Sequence, residues 1–155
     1  MDAVVREALR MLPGVSLSLE RYVPEGGYRF QNGEFMPQGA VMAVNPYLIC
    51  RNKSVWGEDA SEFRPERWLR DAHGGETEEQ FSGRLRKMND ADLSFGAGSR
   101  ICIGKSMGLM QVYKVVATIV TLYDVELVDP NRDWKVINSW FPRQEGLEVR
   151  ISKRS

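Results

Sequence analysis

Two residue types that dominate metal and nucleophile chemistry are nearly missing from this chain, which has one histidine, His73, and two cysteines, Cys50 and Cys102. A single imidazole excludes a multi-histidine metal cage and leaves one candidate base for a Ser-His-Asp site. Its setting, "RDAHGGETEE", is polar and glycine-rich, so His73 reads as a solvated loop residue. Two cysteines far apart, with no secretory signal in front of them, do not make a disulfide framework. Net charge is lacking too: 21 basic residues face 21 acidic ones, and nothing in that balance nominates nucleic acid as a partner. No run of about 20 apolar residues occurs, so no segment is expected to span a membrane.

What is present is the composition of a globular protein, 43% hydrophobic and 27% charged over 155 residues. That suits one compact domain or part of a larger one. The opening "MDAVVREALRMLP" already lies inside an amphipathic pattern, and reads as an interruption rather than a domain boundary. A first helix is expected from Asp2 to Leu12, with Asp2 as cap and Pro13-Gly14 as the stop. "VSLSLERYV" alternates Val15, Leu17 and Leu19 with Ser16, Ser18 and Glu20, the period of a strand. Asn32-Gly33 in "YRFQNGEFM" predicts a hairpin turn, and "GAVMAV" a further strand. Asn45-Pro46 predicts a helix start. "WGEDASEFRPERWL" reads as irregular, and the polar stretch from Arg70 to Ala91 holds a short helix near Glu78 to Met88. After Gly104 comes "KSMGLMQVYKVVATIVTLY", a helix apolar on nearly every side and therefore expected to be buried on nearly every side. "DVELVDP" and "LEVRIS" read as two strands around the aromatic turn Trp140-Phe141. The fold class is mainly α with small antiparallel β ribbons.

The chemistry concentrates in "SFGAGSRICIG", Ser94 to Gly104. A thiol serves as a metal ligand only as a thiolate, and helix N-termini, backbone N–H groups and nearby cations stabilise that form. Cys102 sits at the start of the apolar helix, where the dipole favours an anion. Gly96, Gly98 and Gly104 allow close backbone approach, Arg100 can pair with an acidic group on a bound partner, and Phe95 keeps the sulfur dry. One thiolate is too little for a zinc or iron–sulfur site. It suffices for a haem iron, whose porphyrin supplies four donors. Cys50 has no such loop and reads as a small buried hydrophobe.

The stretch Phe95 to Gly104 resembles the haem-binding signature F-x-x-G-x-R-x-C-x-G of the cytochrome P450 family. Five fixed positions match by accident on the order of once in 10⁴ to 10⁵ chains of this length at average composition. Glu7 to Arg10, "EALR", is similar to the family's E-x-x-R helix, and "FRPERW", Phe63 to Trp68, to its aromatic-x-P-x-R-aromatic segment. Positions i and i+3 share a helix face, and Arg67 would complete a Glu7–Arg10–Arg67 triad.

The resemblance implies more. The fold would be the C-terminal part of the cytochrome P450 fold, truncated, with residues 1–155 forming the haem-binding portion of a larger monooxygenase domain. Cys102 would be the axial thiolate ligand of a haem, with Phe95, Gly98 and Gly104 shaping its loop. Arg21 and Arg100 would hold the two haem propionates. Val15 to Leu17 and Trp140-Phe141 would line the substrate pocket. Partners would be a small organic substrate and an NADPH-dependent reductase on the proximal face, steered by Arg84, Arg86, Lys87 and Lys105. A full-length relative, of fungal microsomal type, would sit at the cytosolic face of the endoplasmic reticulum membrane. The family's oxygen-activating helix and membrane anchor lie upstream of E-x-x-R and have no counterpart here, so the isolated chain is expected to be inactive. A second reading, from another class, is a non-catalytic truncated module that joins a partner through its apolar face.

Overall fold

The Pro13-Gly14 stop acts where the sequence places it. A computed structural model describes residues 1–154, and its first helix, α1, runs Asp2–Met11. Pro13 has no N–H, so the Leu9 carbonyl four residues earlier has no helical partner. Asp2 is not the cap: Met1 holds that position, and the Asp2 carboxylate instead accepts a hydrogen bond from the Tyr113 hydroxyl. α1 buries Ala3, Val5, Glu7 and Arg10, one stripe of its surface.

The expected strand at Val15 starts four residues late. β1 (Leu19–Tyr22) pairs antiparallel with β4 (Val41–Val44), Leu19 opposite Val44 and Tyr22 opposite Val41. Upstream of it the alternation is inverted, with Ser16 buried and Leu17 exposed. The Ser16 N–H donates to the Trp140 carbonyl at 3.2 Å and the Ser16 hydroxyl to that of Pro13 at 3.3 Å. Those tertiary bonds take the place of a ladder. β2 (Tyr28–Arg29) and β3 (Phe35–Met36) form the hairpin across Asn32-Gly33.

α2 (Pro46–Ile49) is capped by Asn45 Oδ1, which accepts from the Leu48 N–H at 3.3 Å. α3 (Lys53–Trp56) follows, capped by Asn52. The irregular segment contains one 3₁₀ turn, Pro65–Trp68. α4 (Glu78–Ala91) outruns the expected helix by three residues and opens on a reciprocal Thr77–Gln80 capping box. α1, α3, α4 and the 3₁₀ turn enclose a small core of Ala3, Trp56, Ala60, Trp68 and Met88. The Trp56 and Trp68 rings meet edge-on there with centroids 5.5 Å apart.

α5 (Lys105–Leu122) overturns its expectation. None of its residues is buried, and Met107 and Val115 are 60% and 57% exposed. Its sequence asks for cover on several sides, and the described residues supply little beyond the Tyr113–Asp2 contact and the continuation into β5 (Tyr123–Leu127). β5 pairs with β8 (Val149–Lys153), while β6 (Lys135–Ile137) and β7 (Arg143–Glu145) form a ribbon around Trp140-Phe141 that the sequence pattern did not announce. The sheets are four separate two-stranded ribbons. The architecture is helical with small antiparallel ribbons.

Candidate functional site

Glu7 stands at the centre of a buried polar network that joins α1 to the 3₁₀ turn. Its carboxylate accepts from Arg10 Nε and Nη2 at 2.9 and 2.8 Å, from Arg67 Nε at 2.9 Å, from the Trp68 indole at 2.9 Å and from the Arg64 N–H at 2.9 Å. Glu7 and Arg10 are fully buried, and Arg67 is 3% exposed. Burial by itself pushes the Glu7 carboxyl up, but the bonds from Arg10, Arg64, Arg67 and Trp68 outweigh it and hold the group below its ordinary range. Arg10 then donates to the carbonyls of Cys50, Ala60 and Glu62, and Arg67 to those of Trp56 and Asp59. Two arginines thus satisfy five carbonyls of a segment with almost no regular structure. That is how an irregular chain is held in one shape.

Against this frame lies the glycine loop. Gly96 and Gly98 have φ of +73° and +64°, a region that side-chain-bearing residues rarely adopt. The reversal they allow brings the Cys102 N–H to the Phe95 carbonyl at 2.8 Å, closing the loop. Gly104 has an ordinary φ of −83° and is the cap residue of α5. A Cβ there would stand 3.8 Å from Cys102 Sγ, so its smallness keeps one side of the thiol clear. Cys102 therefore lies two positions ahead of the cap residue rather than opening the helix. No side chain caps the α5 N-terminus.

The thiol faces a cavity. About 500 Å³ in volume, it is lined by Cys102, Phe95, Arg100 and Arg21 from the expected set, by Val15 and Phe141 from the stretches expected around a substrate, and by Gly14 just ahead of the first of them. Leu19, Leu93, Ser94 and Gly96 complete it. Cys102 is exposed, as the wall of an open cleft is, whereas Cys50 is wholly buried, and burial pushes the Cys50 thiol up, away from the reactive form. Among the described residues neither Arg21 nor Arg100 is paired with a carboxylate; Arg21 donates only to the Glu20 carbonyl, at 2.6 Å. Two unneutralised guanidinium groups, one thiol and an otherwise largely apolar lining suit a flat apolar ligand with acidic arms and a metal at its centre. A haem has that chemistry, and the residues fit it.

A family model described as Cytochrome P450 matches residues 1–147. The chain belongs to the cytochrome P450 family. Cytochrome P450 monooxygenase cfoH of Aspergillus candidus is 53% identical over 99% of this chain, and esdpH of Penicillium shearii is 41% identical over the same share. In each case the chain spans 28% of the relative's length. The crystal structure of a cytochrome P450, CYP102L1, superposes with a TM-score of 0.78 at 25% identity, over 99% of this chain and 31% of that one.

Within this cytochrome P450 chain, one expectation changes. Arg84 is not free to steer a partner: its guanidinium is held bidentate by Glu76 at 2.8 and 2.9 Å and donates to the carbonyls of Arg67 and Leu69. Arg86, Lys87 and Lys105 are exposed. The larger cavity, about 780 Å³ between the 3₁₀ turn and α4, contains no cysteine; Arg64, Arg67 and Arg84 in its wall already have carboxylate partners. Ser94, which pattern reading gave no role, lines the Cys102 cavity beside Gly96. No helix among the described residues is long and apolar enough to cross a membrane.

Proposed function

We propose that this chain is the haem-thiolate-binding portion of a monooxygenase that inserts one oxygen atom of dioxygen into a small organic substrate. Cys102 would supply the thiolate that holds the haem, Arg21 and Arg100 would neutralise its two propionates, Phe95 would shield the sulfur, and Gly98 and Gly104 would let the loop approach. When bound, the haem supplies the redox and oxygen chemistry, with the thiolate donating electron density that favours O–O cleavage. The protein's part is to orient Cys102 ahead of α5 and to exclude water with Leu19, Leu93 and Phe95. Val15 and Phe141 lie where a substrate bound over the cavity meets them. Electrons would come from an NADPH-dependent reductase, with the full-length protein at the endoplasmic reticulum membrane.

The observation that carries this reading is the cavity itself, where one thiol and two unpaired arginines converge from segments as distant as Arg21 and Cys102. The test is reconstitution of the chain with haemin, reduction under carbon monoxide and inspection of the Soret band. Thiolate ligation gives a strongly red-shifted band, and Cys102→Ser removes it while Cys50→Ser leaves it. Identical spectra for wild type and Cys102→Ser would overturn the ligand assignment. A chain that takes up no haem yet forms a stable complex with another polypeptide would favour a non-catalytic module.

A further inference from the structure

The thiol loop shares its cavity with Gly14 and Val15, which follow the end of α1. The hydrogen bonds of the Glu7 network grip the segment from Cys50 to Trp68, and none of them reaches residues 93–104. A different contact spans the gap. Pro13 leaves the Leu9 carbonyl without its helical donor, and the Ser94 hydroxyl, 85 positions away, lies 3.1 Å from that oxygen. The same hydroxyl reaches Asp92 Oδ1, which also accepts the Ser94 N–H at 3.0 Å. One proton shared between two acceptors makes a three-centre bond, and Ser94 is only 8% exposed. The next residue is Phe95, whose carbonyl closes the loop onto the Cys102 N–H.

We propose that Ser94 is a positioning residue for the thiol. Resting on the haem-thiolate reading, it fastens the start of the Cys102 loop to the one carbonyl of α1 that the helix-ending proline exposes. A hydroxyl suits the place because its one proton can serve the Leu9 carbonyl and the Asp92 carboxylate together. Asp92 orients Ser94 from behind, through both its backbone and its side chain. Cavity wall and ligand loop thereby share one fixed point.

The test compares Ser94→Val with its isostere Ser94→Thr in the full chain, by amide hydrogen exchange and by the reduced carbon monoxide spectrum. Loss of a buried hydrogen bond should quicken exchange of the Gly96 and Cys102 amides on the order of tenfold, leaving amides inside α1 such as Arg10 unchanged. Ser94→Thr, which keeps the hydroxyl, should restore wild-type rates. In the haem-loaded protein Ser94→Val should lower the fraction of red-shifted Soret intensity, again rescued by Thr. Equal exchange in Val and Thr variants, or quickening spread evenly through α1, would overturn the proposal. If wild type itself shows no thiolate band, the haem reading falls while the exchange comparison still decides the role of Ser94.

Discussion

Glu7 is the residue on which this fold is most exposed to damage. It neutralises two buried guanidinium groups, and removing its charge leaves both inside without a counterion. Breaking a buried ion pair by deleting one partner costs about 3–5 kcal/mol. Glu7→Gln should therefore lower the unfolding free energy from denaturant titration by that much, far more than Glu148→Gln, whose partner Arg132 is exposed like itself. A second residue-scale prediction concerns acid. The folded Glu7 carboxyl lies below its ordinary value of 4.5. Its contribution is thus fully present above that value and is lost as pH falls through the lowered folded one. The stability of wild type should fall over that interval, and Glu7→Gln should show a shallower fall; parallel curves would show that Glu7 is not the titrating group. Asn52 has a smaller role. Its Oδ1 accepts from the Ser54 N–H at 3.0 Å and from the Ser54 hydroxyl at 2.8 Å, so Asn52→Ala should cost about 1 kcal/mol as a lost helix cap.

At the scale of elements, the segment between the 3₁₀ turn and α4 is held by Glu76 and Arg84. Bonds from Arg84 and the Asp71 N–H lower the Glu76 carboxyl to about 2. Glu76 should therefore stay ionised, and the 71–77 loop closed, until pH falls well below the ordinary carboxylate range. Arg84→Lys keeps the charge but loses the planar fork that reaches Glu76 and two carbonyls at once. It should quicken proteolytic nicking in the glycine-containing stretch from Asp71 to Thr77 without loosening α1, which digestion followed by mass analysis would locate. Much of this level was legible beforehand. Asn45-Pro46, Asn32-Gly33 and Pro13-Gly14 each force a local geometry whatever surrounds them. The alternation at Val15 to Leu19 failed for the opposite reason: Ser16 is bonded to residue 140, and no local rule reports a partner that distant.

For the whole molecule, the largest consequence is uncovered apolar surface. Met107, Met110, Val115 and Val120 of α5 all stand open, as do Val125 and Ile151 of the β5–β8 ribbon. Soluble monomers rarely leave so broad an apolar face uncovered. The isolated chain should bind a hydrophobic dye and self-associate with rising concentration, and added haemin should reduce dye binding only near the cavity. A clean monomer with a sharp cooperative melt and no dye binding would contradict this. The curated relatives are more than three times as long as the stretch this chain matches, which agrees with surface made for contact with other parts of a P450 domain.

The sequence alone determined the thiol loop, the helix stops and the charged triad, because each depends on residue types at fixed short spacing: glycines that permit a reversal, a proline without an N–H, a glutamate and arginine one turn apart. Only the tertiary structure decided that Arg21 and Arg100 meet at Cys102 while Arg84 is occupied elsewhere, and that a serine outside the motif holds its loop to α1. Those relations join residues up to 85 positions apart. Such distances are closed by packing, about which spacing along a chain carries no information.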